Sequence, residues 1–169
     1  MTTPLESIAS VIDLPSSSTE QASKPSGVLS RLASSSALTR DVALLVLRVA
    51  FGSTLALSHG LAKLENSSKF LDGLVKRGFP LPLFFGWSAI LSEFVGGLLL
   101  ALGLLTRPAA TFVLITLTVA AVDIHSGDPF AKRELALAYA VVALSLLIGG
   151  AGRYSLDRKL VLRREGRID

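Results

Sequence analysis

Half of the 169 residues are hydrophobic and only 18% are charged, against about 25% in soluble proteins, which disfavours a soluble globule and points to a membrane. The absence of cysteine excludes disulfides, thiolate metal sites, iron–sulfur ligation and any redox or nucleophilic thiol on this polypeptide. The net charge of +4 and pI near 9.8 suit anionic lipid headgroups better than nucleic acid, because the basic residues lie between apolar runs and in a C-terminal cluster, without interleaved aromatics.

Residues 1–39 contain eleven serines and three prolines and few large apolar side chains, so they read as a disordered tail that buries too little surface to offset the entropy of ordering. They do not read as a cleaved signal peptide, since Glu6, Asp13 and Pro15 interrupt the about 7–15 apolar residues it would need. Four apolar runs follow, each close to the roughly 20 residues that cross about 30 Å of hydrocarbon. The first is Val42 to Leu64. The second, Leu81 to Leu105, follows Gly78-Phe79-Pro80. A tight turn at Thr106-Arg107-Pro108 leads to the third, which ends near His125; the fourth spans Glu134 to Gly150. Connections this short force antiparallel neighbours, so residues 40–152 are expected to form an all-α, four-helix transmembrane bundle running up-down-up-down. Residues 153–169 read as a basic tail. Ser155-Leu156-Asp157 resembles a helix cap, after which a short helix could turn Leu156, Leu160 and Leu162 to lipid and Arg158, Lys159, Arg163 and Arg164 to headgroups; a solvated charged tail is the alternative.

Lys and Arg outside the runs set the orientation. Ten lie on the side of the termini and second loop (Lys24, Arg31, Arg40, Arg107, Arg153, Arg158, Lys159, Arg163, Arg164, Arg167), and six on the other (Lys63, Lys69, Lys76, Arg77, Lys132, Arg133). The asymmetry favours the cell's inner membrane with both termini cytoplasmic.

An ionisable residue inside a span costs roughly 2.5–3.5 kcal/mol on insertion scales and usually faces the bundle interior with a partner. Glu93, near the middle of the second run, is the main candidate: either a proton-accepting or ligand-anchoring carboxyl, or a structural ion pair. Gly86, Gly96 and Gly97 near its stripe would let another helix approach. Arg48, His59 and Lys63 share a face if helix one is regular, because an offset of 11 residues is within about 20° of three turns. Arg48 is thus expected either to reach toward Glu93 or to snorkel, and Lys63 to attract anionic ligands from the helix end. The outer ends of helices one, three and four would gather His59, Lys63, Asp123, His125 and Glu134 as a binding pocket, with His59 relaying to Glu93. A metal site is disfavoured because Asp123 and His125 are two residues apart and point to different faces; haem ligation by His59 and His125 is disfavoured too. Trp87 and Tyr154 read as interfacial anchors, and Tyr139 as core packing more than pocket lining.

Arg48, Ser58-His59-Gly60-Leu61-Ala62-Lys63-Leu64, Gly78-Phe79-Pro80, Glu93-Phe94-Val95-Gly96-Gly97, Gly103-Leu104-Leu105-Thr106-Arg107, His125, Glu134 and Gly152-Arg153-Tyr154-Ser155-Leu156-Asp157 together resemble the DoxX family of small four-helix membrane proteins over about residues 40–160. The resemblance implies architecture more than chemistry: the family takes its name from a membrane subunit linked to quinone-coupled oxidation of thiosulfate, and relatives are associated with oxidative-stress membrane complexes. The expectation is a membrane subunit that contacts the bilayer, a quinone-like or other lipophilic molecule, and a redox-enzyme partner subunit or further copies of itself, with no cofactor fixed by a sequence motif and no nucleic acid. A small proton-linked permease, with Glu93 as carrier carboxyl, and a non-catalytic assembly protein are the rival readings.

Overall fold

The computed structural model describes residues 37–124 and 126–165, which form helices joined by turns, with no strand among the described residues. We number the helices α1 (Ala37–Glu65), α2 (Ser67–Lys76), α3 (Pro82–Leu102), α4 (Thr106–Ile124), α5 (Phe130–Gly149) and α6 (Leu156–Glu165). Of these, α1, α3 and α4, at 29, 21 and 19 residues, are long and apolar enough to cross a membrane. Helix α5 has 20 residues but carries Lys132, Arg133 and Glu134 in its first two turns. The Ser-rich segment up to residue 36, His125 and residues 166–169 lie outside the described residues. Helix α1 begins at Ala37, three residues inside the segment expected to be tail, because Leu38-Thr39-Arg40 holds nothing that breaks a helix.

Turn chemistry explains the breaks. Gly103 sits at φ +67 and closes α3: its own N–H donates to the Leu100 carbonyl, and the Leu104 N–H donates to that of Leu99. This is the left-handed cap that glycine adopts without a side-chain clash. Gly78 ends α2 in the same way, with Phe79 N–H on the Leu74 carbonyl. Pro82 then occupies the first turn of α3, where its missing N–H costs nothing.

The helices meet through small residues. A Cβ added to Gly52 or Gly60 would run into the α3 backbone, at Gly97–Ala101 for the first and Glu93–Phe94 for the second, and one added to Gly97 would meet the backbone of Gly52 and Ala56. Without a hydrophobic drive between helices in lipid, such backbone-to-backbone packing holds them together. Three wide π-turns interrupt the long helices, at Leu55–Gly60, Ser92–Gly96 and Ala120–Ile124, and the first two face each other at this crossing. Elsewhere α4 and α5 pack closely, with Ala109, Ala110 and Val113 in one buried cluster with Ala140, Ala143 and Leu146, joined by Phe51, Leu55 and Leu100. Tyr139 packs against that cluster and meets Phe51 edge-on, as a core residue. Large apolar side chains cover the outside instead: Val46, Phe112, Ile115, Val141 and Ile148 are all more than half exposed, as a lipid-facing surface requires.

At one end of the helices, residues remote in sequence are tied together. Arg153 N–H donates to Asp41, Asp157 N–H donates to the Gly103 carbonyl, and the Asp157 carboxylate accepts from the N–H groups of Leu105 and Thr106. Asp157 thus caps the free N-terminus of α4, an arrangement in which a carboxylate satisfies orphan donors and complements the helix dipole. Ser155 caps α6 as expected, accepting from Arg158 N–H. In α6 itself the apolar Leu160, Val161 and Leu162 are consecutive and exposed, so they spread around the helix and form no single stripe. At the other end, Arg77 donates to the Ile124 carbonyl and Arg133 to that of Ala121.

Gly60→Val should lower the thermal stability of the purified protein in detergent by at least about 1–3 kcal/mol, since overpacked backbone cannot relax locally. Gly73→Ala, where an added Cβ meets nothing within 4 Å, should raise it by up to about 1 kcal/mol. Thermal melts of the two variants beside the parent check both signs.

Candidate functional site

Gly60 brings α1 against the backbone of Glu93 and Phe94, and the helix then carries Lys63 one turn further. Lys63 Nζ lies 2.5 Å from Glu93 Oε1. Glu93 is 2% exposed, whereas the Lys63 side chain keeps 28% of its surface, so the carboxylate is the buried member and the ammonium the wetter one. Only Oε1 is engaged: Glu93 Oε2 is buried without a hydrogen-bond partner among the described residues, as is Ser92 Oγ beside it. Both belong to the second π-turn, a feature that recurs at functional sites.

Two cavities meet at this pair. The larger, about 540 Å³, lies among α2, α3 and α4 and includes Lys63, Glu93, Phe70, Phe85, Phe112 and Thr116 in its wall. Its character is apolar and aromatic, with Lys63, Lys69 and Arg77 as the cations and Glu93 as the acid. The smaller, about 300 Å³, is an open cleft lined by Ser58, His59, Ala62, Lys63, Asn66, Lys69 and Phe70. Lys63, Lys69 and Phe70 are common to both, and Lys63 Nζ stands 5.2 Å from the centre of the Phe70 ring, within range of a cation–π attraction. A buried carboxylate at the wall of an apolar cavity can accept a hydrogen bond or a proton, and the adjoining cleft connects its partner to water.

The structure redistributes the residues singled out in the sequence. Arg48 does not reach Glu93. It is buried at the opposite end of the α1–α3 crossing, where its Nη2 donates to the Tyr154 carbonyl and its guanidinium fills the space beside Gly103 that a Cβ would need. The register of the crossing explains this: Gly52 faces Gly97–Ala101 and Gly60 faces Glu93–Phe94, so in an antiparallel pair Arg48 falls near Gly103. Arg48, His59 and Lys63 also fail to form one stripe. The π-turn at Leu55–Gly60 takes up extra chain, about 100° of rotation per residue, so positions 52, 56 and 60 stay on the α3 side. His59 turns instead to Tyr139 of α5, ring centres 5.5 Å apart. It lines the smaller cleft but not the cavity of Glu93, so Lys63 stands where a link through His59 was expected. Asp123 and Glu134 are exposed and line neither cavity, and His125 lies outside the described residues. Among the described residues, no three His, Cys, Asp or Glu side chains gather as metal ligands do. Trp87 is on the exposed surface of α3.

Helix α2 lies between the first and second apolar runs, and Phe70 and Leu74, spaced one turn apart and flanked by Lys69, Asp72 and Lys76, carry its helical period. Its inner face supplies Phe70, Gly73 and Leu74 to the larger cavity.

Removing one member of the pair should be unequal in its effect. Lys63→Met strands a buried charge and should cost more stability than Glu93→Gln, which leaves a partly hydrated ammonium. A double-mutant cycle on thermal unfolding in detergent should return a coupling of about 1–3 kcal/mol; additive losses would show that the two side chains do not interact.

A model of the DoxX family matches residues 43–126, a span that holds the whole Lys63–Glu93 site and ends before the Gly152–Asp157 clamp. A protein of Haemophilus influenzae (strain ATCC 51907 / DSM 11121 / KW20 / Rd), described as an uncharacterized protein, is 36% identical over 60% of this chain and 78% of its own length. No solved structure matches.

Proposed function

The chain belongs to the DoxX family, and from that premise we propose that it is a membrane subunit that holds a lipophilic, quinone-like molecule for a redox partner rather than a self-sufficient enzyme. One observation carries this reading: the buried Glu93 carboxylate, paired on one side with Lys63, stands in the wall of an apolar cavity of about 540 Å³, within the size range of small-molecule sites. Phe84, Phe112 and Ile115 line the same cavity and are more than half exposed, so in a bilayer it lies open to acyl chains, and a lipophile can enter without crossing water.

The residues fit a quinone headgroup. Lys63 has N–H bonds beyond the one given to Glu93 and can donate to a ring oxygen, Glu93 Oε2 can receive a hydrogen, and the phenylalanines exclude water from the ring. A bound quinone would supply two-electron acceptor chemistry. The chain's own part is to orient the polar end at Lys63 and to hold a proton at Glu93 Oε2, with the cleft beside Lys63 as its route to water. With no cysteine in the chain, electrons come from a partner or from a second bound molecule rather than from a thiolate of its own.

For architecture we propose four antiparallel spans in the inner membrane, with α5 as the fourth and both termini cytoplasmic. The ties of Arg153 to Asp41 and of Asp157 to Gly103 at one end, and of Arg77 and Arg133 to the end of α4 at the other, support that alternation. The charged first turns of α5 would then sit at headgroup level, and the ten-to-six distribution of Lys and Arg supports the orientation.

Two experiments test these readings. Reporter fusions after the C-terminus should read cytoplasmic and fusions at Asp72 periplasmic; the reverse pattern would overturn the orientation, and both on one side the span count. Mass spectrometry of protein purified in mild detergent should find a co-purifying lipophile. Ala89→Trp, which fills the larger cavity from α3, should lose that molecule while keeping its thermal stability. Retention of the lipophile by Ala89→Trp, or none in the parent, would overturn the site.

A further inference from the structure

The two oxygens of Glu93 differ in a way that specifies what the cavity takes. Oε1 lies 2.5 Å from the Lys63 ammonium, the contact of a cation with a carboxylate, and an ionised carboxylate only accepts hydrogen bonds. Oε2 is buried with no partner among the described residues. Its neighbours on the cavity wall do not supply one. Ser88 donates its hydroxyl to the Phe84 carbonyl, Arg77 gives an N–H to the Ile124 carbonyl, Lys63 meets Oε1, and neither Lys69 nor Thr116, which also line the cavity, donates to Oε2. A charged acceptor left bare in an apolar wall carries its full desolvation penalty until a donor arrives.

We infer that the molecule held in this cavity carries a hydroxyl at its polar end and donates that hydrogen to Glu93 Oε2, so that the ligand class is a lipophilic phenol or alcohol. This rests on the cavity being a ligand site, as proposed above, and adds the polarity of the contact. A carbonyl oxygen placed at Oε2 sets lone pairs against lone pairs. A hydroxyl there forms a charge-assisted hydrogen bond out of water, the stronger kind. Lys63 does not reverse the preference, because its contact is with Oε1 and leaves Oε2 without a donor.

The test uses two probes that differ only at that hydrogen, para-nonylphenol and its methyl ether para-nonylanisole. Their equilibrium binding is measured to the full chain in lipid nanodiscs and corrected for empty discs. The phenol is expected to bind about tenfold more tightly or better, the size of one hydrogen bond to a charged group. In Glu93→Gln the amide oxygen stays with Lys63, which can only donate, and the NH₂ takes the place of Oε2; the preference should then vanish or turn toward the ether. Equal binding of both probes to the parent would overturn the hydroxyl inference and leave the cavity standing as a site. Binding of neither would overturn the cavity reading itself. An unchanged preference in Glu93→Gln would assign the discrimination to the bulk of the methyl group and overturn the inference. Should Glu93→Gln not fold, the two affinities of the parent still decide between the first two outcomes.

Discussion

The close crossing of α1 and α3 is the constraint on which the rest of this structure depends. Gly52, Ala56 and Gly60 on one side and Gly97 and Ala101 on the other leave no room for further side-chain atoms between the two backbones. In hydrocarbon, contact of this kind replaces the hydrophobic effect as the source of helix association. Because it is made by backbone, it has one register. That register seats Lys63 on Glu93 and, about four turns away along α1, Arg48 beside Gly103. A slip by one residue would separate both pairs at once.

The two buried charges at the ends of the crossing have different surroundings. Arg48 sits among backbone: its donor goes to the Tyr154 carbonyl, next to the segment in which Asp157 caps α4 and Ser155 caps α6. The contacts there join pieces of the chain, with Arg48 Nε and Nη1 buried and without hydrogen-bond partners among the described residues. Glu93 faces an apolar cavity with half its carboxylate unengaged. A buried ion pair is weak support for stability, since desolvating the charges offsets much of their attraction. The pair's placement at the wall of a cavity is therefore better accounted for by what it can hold than by what it adds to the fold.

The π-turns connect the two themes. Those at Leu55–Gly60 and Ser92–Gly96 lie in the crossing itself, and the one at Ala120–Ile124 offers the Ala121 and Ile124 carbonyls to Arg133 and Arg77. A four-residue spacing drifts about 40° per step on a regular helix. The wider turn in α1 removes part of that drift and keeps Gly60 on the same side as Gly52. The turn at Ser92–Gly96 places Glu93 in a backbone whose hydrogen bonding is already irregular, where a buried polar side chain does least harm.

The family resemblance came from the order of short motifs such as Ser58–Leu64 and Glu93–Gly97. Composition and the length of the apolar runs were enough to read a helical membrane protein, because a bilayer admits only self-satisfied backbone and announces itself as long stretches without charge. Glu93 was legible for the same reason: a lone acid in the middle of such a stretch must have a purpose or a partner. The Ser155 cap was legible as local backbone chemistry, whereas the turn expected at Thr106-Arg107-Pro108 falls earlier: Gly103 ends α3 after Leu102, and Thr106-Arg107-Pro108 form the first turn of α4. Partner choice was not legible. The expected reach of Arg48 toward Glu93 and the stripe of Arg48, His59 and Lys63 both assumed a regular helix. The π-turns, which no local propensity marks, changed the rotation, and the Gly52–Gly97 contact set the register. Helix α2 carried a readable period, but its place as a wall of the cavity depends on residues of α3 and α4 far along the chain. The apolar character of each span follows from the solvent it meets one residue at a time, whereas which charge meets which depends on how two surfaces lock, and that is a property of pairs of helices in contact.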